Sequence, residues 1–343
     1  MAAHENGNVM KDERNYSLKA HNTFGIDAKC SRFLEFENEQ EAMEVARILR
    51  ESDTPYIIIG GGSNLLLTKD FEGIVVRSGI RGYCFEDDCR MICGSGEVWD
   101  DMVALSIKEG YSGMENLSLI PGDVGASAVQ NIGAYGVEAK DLIETVWGVE
   151  IATGKTRIWG NEACEYAYRQ SRFKQDWKNR FLICKVAYHL SKTFTPHLDY
   201  GNIRAELEKK GIHEPTAQQL RDMIIDIRNA KLPDPKVMGN AGSFFMNPIV
   251  SREKYEQLAS QYEQMPHYVI DAEHVKIPAG WMIDQCGWKG KRLGRAGVHD
   301  KQALVLVNCG GATGEEIVTL CKQIQQDVQA KFGIDIHPEV NII

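Results

Sequence analysis

At 343 residues the chain is too long for one ordinary core, so two or three domains are expected. Its 43% apolar and 25% charged residues describe an enzyme-sized globular protein, and a formal charge of -9 argues against a nucleic-acid binder, which needs a basic face. No apolar run approaches the ~20 residues of a membrane span, and the polar stretch 1–15 lacks the apolar segment of a signal peptide. Its first dozen residues read as a frayed tail. The nine cysteines are an odd number in mostly apolar settings. Cys84, Cys89 and Cys93 cluster, but their spacing fits no zinc or iron–sulfur template and no histidine is near. Reduced structural thiols, no metal and a cytoplasmic location are expected.

Tyr16 to Thr23 reads as a connection, and Arg32 to Phe36 alternates as a half-buried strand should. Asn38, with Glu41 three residues on, opens a helix whose apolar face is Ala42, Met43, Val45, Ala46, Ile48 and Leu49. After Pro55 comes the strand Tyr56–Ile59 and then Gly60-Gly61-Gly62-Ser63-Asn64. Exposed N–H groups of such a loop can surround a phosphate; a tight hairpin loop explains it as well. It is not a dinucleotide fingerprint, because Leu65 stands where a glycine is needed and the strand Ile74–Val76 follows instead of a helix.

Trp99 to Glu109 reads as a helix stopped by Gly110. A second small-residue region, Asn116 to Gly136, then holds four glycines, three alanines and two serines, a density that favours an extended ligand against the backbone. Strands are expected at Val146–Ile151 and Phe181–Leu190. Between them Tyr166, Tyr168, Arg169 and Arg172 alternate as on a strand, and Arg169 suits either a solvated surface or a carboxylate. A helix is expected over 211–228, with a domain boundary at Pro233-Asp234-Pro235.

Gly239 to Pro248, reading GNAGSFFMNP, makes a poor helix and a poor strand. It is either a glycine turn before two core phenylalanines or a site built around Ser243. A helix is expected over 252–262. Lys289, Lys291, Arg292 and Arg295 then form the one basic patch, a solvated loop or an anion site. A buried strand is expected at Leu304–Val307. Thr313 with Glu316 caps a last helix striped by Ile317, Leu320, Ile324, Val328 and Phe332 and ended by Gly333; His337 to Val340 is a short strand carrying Glu339.

In this order, Ile59 to Asn64, Ile120 to Gly136, Tyr168-Arg169, Gly239 to Pro248 and His337-Pro338-Glu339 resemble the UDP-N-acetylenolpyruvoylglucosamine reductase (MurB) family from about Thr23 to the C-terminus. Leu198 to Gly201 is similar to the tyrosine loop of its longer branch. The resemblance implies an α+β, three-domain FAD-binding protein of the vanillyl-alcohol-oxidase-like type, not a Rossmann fold. The implied domains are 15–80 with 333–343, 81–232, and a substrate domain 233–332. It also implies non-covalent FAD, NADPH as co-substrate and a cytoplasmic monomer acting in peptidoglycan synthesis.

By the same resemblance Arg169, Ser243 and Glu339 are catalytic. Hydride addition to the enolpyruvyl double bond leaves a carbanion conjugated with the substrate carboxylate. That charge needs a cation, Arg169, and a proton, from Ser243. Glu339 helps only by hydrogen bonding or by holding a proton, so a raised carboxyl pKa is expected, and Gly242 with Phe244 and Phe245 is expected to keep Ser243 dry. FAD would contact Gly60, Gly61, Gly62, Ser63, Asn64, Pro121, Gly122, Gly125, Ala126, Ser127, Asn131, Gly133, Ala134, Arg228 and Gly242. The UDP-sugar would contact Tyr135, Tyr168, Tyr200, Lys231, Asn247, Tyr268, Lys289 and Gln302.

Three rivals stand beside this. A sugar-alcohol or lactone oxidase of the same fold type would tether its flavin through a histidine or cysteine, and none sits suggestively here. A serine hydrolase would need the G-x-S-x-G elbow, absent at Ser243. A nucleotide-sugar binder would need neither Ser243 nor Glu339.

Overall fold

The computed structural model describes residues 10–86 and 89–343. Part of the expected N-terminal tail, residues 1–9, lies outside the described residues. The rest of it is not frayed: Lys11–Ser17 is an edge strand. Its side chains are almost all exposed, so no apolar alternation marks it, and the pairing is carried by the backbone.

The chain divides into two compact units. The first comprises the described part of Met1–Tyr16, with Cys30–Gly61 and Glu72–Arg228. A four-stranded sheet runs in the order Lys11–Ser17, Lys29–Phe36, Phe71–Ser78, Tyr56–Ile59. Its last pair is parallel, with Tyr56 opposite Ile74 and Ile59 opposite Arg77. The helix Glu39–Arg50 packs on it through Ala42, Val45, Ala46 and Leu49, and the Asn38 side chain accepts the Glu41 N–H at 2.9 Å as the capping pattern requires. An antiparallel five-stranded sheet follows in the order Thr156–Gly160, Ile143–Glu150, Phe181–His189, Arg90–Gly94, Tyr83–Glu86. Its core includes Trp99 from the helix Trp99–Lys108 and Tyr188, whose rings meet edge to face.

A third helical cluster closes this unit. The helix expected over 211–228 runs instead over Ala217–Lys231. Gly211, at φ +71, terminates the preceding helix Ile203–Lys209 rather than opening the next. The start is set by Thr216 and Gln219, which exchange side-chain to N–H bonds at 2.9 and 3.2 Å.

The second unit comprises Ser17–Lys29, Gly62–Phe71 and Asn229–Ile343. One three-stranded sheet runs Ile249–Ser251, His274–Lys276, Tyr268–Val269; another runs Arg292–Leu293, Ala296–Val298, Leu306–Asn308. The helix expected over 252–262 is shorter, Arg252–Ala259, with Ser251 as its cap. The buried strand expected at 304–307 is Leu306–Asn308. The long helix Gly314–Phe332 carries the Thr313–Glu316 capping box and ends on Gly333 at φ +61, as read from the sequence. Gly314 could not be another residue: a Cβ there would lie 1.9 Å from the Leu67 carbonyl oxygen.

Candidate active site

In the second unit, Gly239–Pro248 and the C-terminal segment run side by side. The Glu339 N–H donates to the Phe244 carbonyl at 2.8 Å, and the Met246 N–H donates to the His337 carbonyl at 2.9 Å. Phe245 and Pro338 pair between them in an antiparallel bridge. The short strand expected at 337–340 is therefore only this bridge, because Pro338 has no N–H to extend the ladder; the strand itself is Asn341–Ile342. Phe244 and Phe245 are buried and anchor the segment, and the Phe244 N–H donates to the Leu304 carbonyl at 2.8 Å. Ser243 and Glu339 are thus fixed close in register by main-chain bonds.

Ser243 is exposed, so the dry setting expected for it is not present in the structure. The aromatics are dry; the hydroxyl is not. The turn before it is built by Asn240, which sequence reasoning passed over. Its side chain donates to the Pro233 and Met238 carbonyls at 3.1 and 2.8 Å and accepts the Gly242 N–H at 2.9 Å. Thr23 fixes the same residue, donating from Oγ1 to the Asn240 carbonyl at 2.6 Å. Gly242 then turns at φ +66 with open space where a Cβ would stand. From the glycine loop, Asn64 donates to the Glu339 carbonyl at 3.3 Å, and Gly62 packs on the main chain of His21 and Asn22.

In the first unit the two small-residue loops meet. A Cβ on Gly61 would lie 3.1 Å from Asp123 Oδ1 and 3.3 Å from the Gly122 Cα, and one on Gly60 would lie 3.1 Å from the Ala126 Cβ. The glycines allow backbone to approach backbone. Asp123, unrecognised in the sequence, is held here by Arg77 at 3.3 Å, which also bonds Glu35 at 2.8 Å. An acid placed directly after Pro121-Gly122 was the available signal. Gly125 packs on Ser95, and Ser127 turns its hydroxyl to Tyr188 at 2.7 Å in the core. Asn131 is fully buried at φ +43, donating to the Ala167 carbonyl at 2.8 Å and accepting the Lys140 N–H at 2.9 Å. Its amide holds protein together.

Arg169 does not sit on a strand. Residues 167–170 form a tight turn in which Ala167 and Gln170 exchange backbone bonds, with Arg169 at φ +56. A left-handed residue breaks strand alternation, and the Tyr–Tyr–Arg spacing cannot reveal it. Arg169 Nη2 donates to the Gly133 carbonyl at 2.8 Å, and Lys174 Nζ donates to the Arg169 carbonyl at 2.8 Å. Gly133–Ala134 pairs with Val137–Glu138 through a two-residue turn, Tyr135 at φ +49 and Gly136 at φ +82. Gly136 packs against Tyr200, 3.3 Å from where its Cβ would be. The Tyr135 hydroxyl is within reach of Arg228, and burial pushes that phenol above its usual range. Burial pushes the Arg228 guanidinium below its usual value, with Arg169 adding like charge. Arg169, Tyr135, Arg228 and Tyr200 are thereby brought into one neighbourhood of this unit.

The remaining candidates are dispersed over the second unit or outside any cluster. Asn247 accepts the Ala279 N–H at 2.9 Å and Gln302 packs on Gly280, so both flank the first turn of the helix Ala279–Gln285. Tyr268 is exposed on an edge strand, Tyr168 is exposed at its turn, and Lys231 is exposed at its helix end. Lys289 is paired with Asp284 at 3.5 Å, and Arg295 with Glu316 at 2.9 Å. Half of the expected basic patch is therefore neutralised locally.

A family model described as the C-terminal domain of UDP-N-acetylenolpyruvoylglucosamine reductase matches residues 234–343, and one described as an FAD binding domain matches residues 31–159. A Bacteroides fragilis protein named UDP-N-acetylenolpyruvoylglucosamine reductase is 54% identical, covering 96% of this chain and all of its own length. The chain belongs to the UDP-N-acetylenolpyruvoylglucosamine reductase family.

Members of that name from Flavobacterium johnsoniae and Pseudomonas aeruginosa are 45% and 44% identical, over 97% and 95% of this chain. The crystal structure of the Thermus caldophilus reductase shares the fold, with a TM-score of 0.69 at 21% identity, covering 97% of this chain and 99% of that one. The α+β fold expected of the family is therefore present. The FAD of this reductase family fits the residues present. Arg228 Nε is buried without a hydrogen-bond partner among the described residues, a donor suited to an electron-rich ring edge. The matched FAD region also spans both glycine loops.

Proposed function

We propose that this chain reduces the enolpyruvyl double bond of UDP-N-acetylenolpyruvoylglucosamine to give UDP-N-acetylmuramate, with NADPH as reductant and FAD as cofactor. The observation that carries the reading is the 54% identity, over 96% of the chain, to a protein named for that substrate. When bound, FAD would supply the hydride chemistry, with NADPH as its reductant. The protein supplies the rest. Arg169, held by the Gly133 carbonyl and the 167–170 turn, faces the substrate carboxylate and stabilises the charge that develops beside it. Ser243 Oγ gives its proton to the carbanionic carbon, a task for a weak acid only because the acceptor is strongly basic. Glu339, paired through its backbone with Phe244, holds a proton or donates a hydrogen bond to the same charge. A bare carboxylate there would repel it.

FAD would be held by Gly60 to Asn64 and by Pro121, Gly122, Gly125, Ala126, Gly133, Ala134 and Gly242, with the Arg228 guanidinium as a donor to it. Ser127 and Asn131 act by shaping the loop. The UDP-sugar is bound by Tyr135, Tyr168, Tyr200, Lys231, Asn247, Tyr268, Lys289 and Gln302. We assign FAD-binding subdomains 15–80 with 333–343 and 81–232, and a substrate domain 233–332. The enzyme works as a cytoplasmic monomer.

The purified protein is expected to be yellow, to release FAD on denaturation, and to oxidise NADPH only when the enolpyruvyl UDP-sugar is present. A colourless protein that takes up no flavin on reconstitution overturns the reading.

A further inference from the structure

Leu119 adopts φ +58 immediately before Ile120-Pro121-Gly122. A bulky, γ-branched residue there is strained, and such strain persists only where the surroundings impose it. The imposing group is Asp100, in the first turn of the helix Trp99–Lys108. Its Oδ1 accepts the Leu119 N–H. The same carboxylate takes a bidentate ion pair from Arg221, Nη1 to Oδ1 at 2.7 Å and Nη2 to Oδ2 at 2.9 Å. The Arg221 side chain is 9% exposed, and its fork satisfies both oxygens in one plane. Arg221 lies on the helix Ala217–Lys231, two turns before Arg228. One half-buried carboxylate therefore ties together a strained loop residue, the helix that carries Arg228, and its own helix Trp99–Lys108. Downstream of Leu119 the chain passes through Gly122, whose Cα lies 3.3 Å from where a Gly61 Cβ would be.

We propose that Asp100 is a positioning residue for the cofactor: latched by Arg221, it holds Leu119 in its left-handed conformation and so sets Pro121-Gly122 against Gly61, and Arg228 relative to that loop. This rests on the assignment of the 121–136 loop to FAD. Asp100 touches no reacting atom. Its effect passes through backbone, so it should appear in FAD affinity and not only in turnover.

The test is FAD dissociation from the reconstituted protein, read by flavin fluorescence, with far-ultraviolet circular dichroism on each variant. Asp100→Ala is expected to weaken FAD about tenfold or more, because Leu119 is no longer held in its left-handed conformation and the backbone at Pro121-Gly122 is released. Asp100→Asn, which keeps an acceptor for Leu119 but breaks the ion pair, should fall between Ala and wild type, and it serves if the alanine variant does not fold. Leu119→Gly removes the strain, so adding it to Asp100→Ala should restore affinity to within about threefold of wild type. Wild-type FAD affinity in both Asp100 variants overturns the proposal, as does failure of Leu119→Gly to rescue, which would leave Asp100 with helix docking alone. Gly122→Val separates this from the underlying assignment: at φ +125 a valine must distort the loop, and unchanged FAD affinity there would remove the loop from the cofactor site.

Discussion

The main-chain N–H of Glu339 donates to the carbonyl of Phe244 at 2.8 Å, which places the residue after Ser243 directly against the C-terminal acid. The bond is made by backbone, so either side chain can be changed without removing it. That separation makes the roles proposed for Ser243 and Glu339 open to clean substitution.

For Glu339 the expected requirement is a donated hydrogen bond or a held proton. Glu339→Gln keeps a donor of the same length and should retain turnover within about tenfold of wild type, whereas Glu339→Ala should lose roughly a hundredfold or more. Steady-state kinetics on both checks this. Equal loss in the two variants would mean that the acid's own proton or charge is indispensable.

Two glycines near Ser243 should respond very differently to alanine. A Cβ on Gly239 would lie 2.2 Å from the Phe24 carbonyl oxygen, so the backbone must move, at a cost above about 3 kcal/mol. Gly242 has open space but φ +66, so alanine there costs only the left-handed strain, about 1–2 kcal/mol. Denaturant titration should rank Gly239→Ala well below Gly242→Ala in stability.

Acid stability should carry the signature of Glu316. Its hydrogen bonds from Arg295 and from the Thr313 backbone hold its carboxyl down from the usual 4.5 to about 2. A depressed pKa contributes stability that is fully present above 4.5 and is lost as pH falls through 2. Glu316→Gln should therefore melt lower than wild type near neutral pH, with the difference narrowing between pH 4.5 and 2. A difference independent of pH would assign the effect to packing or to the capping bonds alone.

What could be read from the sequence was what local chemistry dictates. Asn38 with Glu41, Thr313 with Glu316, and Gly333 mark helix ends because capping needs only nearby atoms. The ordered small-residue segments pointed to the right family for a related reason: close backbone approach demands glycine whatever surrounds it. Conformations imposed by distant partners stayed hidden. Arg169 at φ +56 depends on the 167–170 turn and on the Asn131 amide, so its neighbourhood looked like a strand. Gly211 ends one helix where it was taken to start another, because either use leaves a glycine beside a polar run. Ser243 was expected to be dry from its aromatic neighbours, yet Phe244 and Phe245 turn inward and leave it exposed. Asp100 and Arg221 are ordinary helix-surface residues in sequence, separated by 121 positions.

The most direct measurement separates the two half-reactions of Ser243→Ala by anaerobic rapid mixing. NADPH should bleach the flavin at close to the wild-type rate, because no proton to substrate carbon is involved. Reoxidation by the enolpyruvyl UDP-sugar should then fall by roughly 10²- to 10⁴-fold, the range for losing a positioned acid. Wild-type rates in both half-reactions would contradict the account and remove Ser243 as the proton donor.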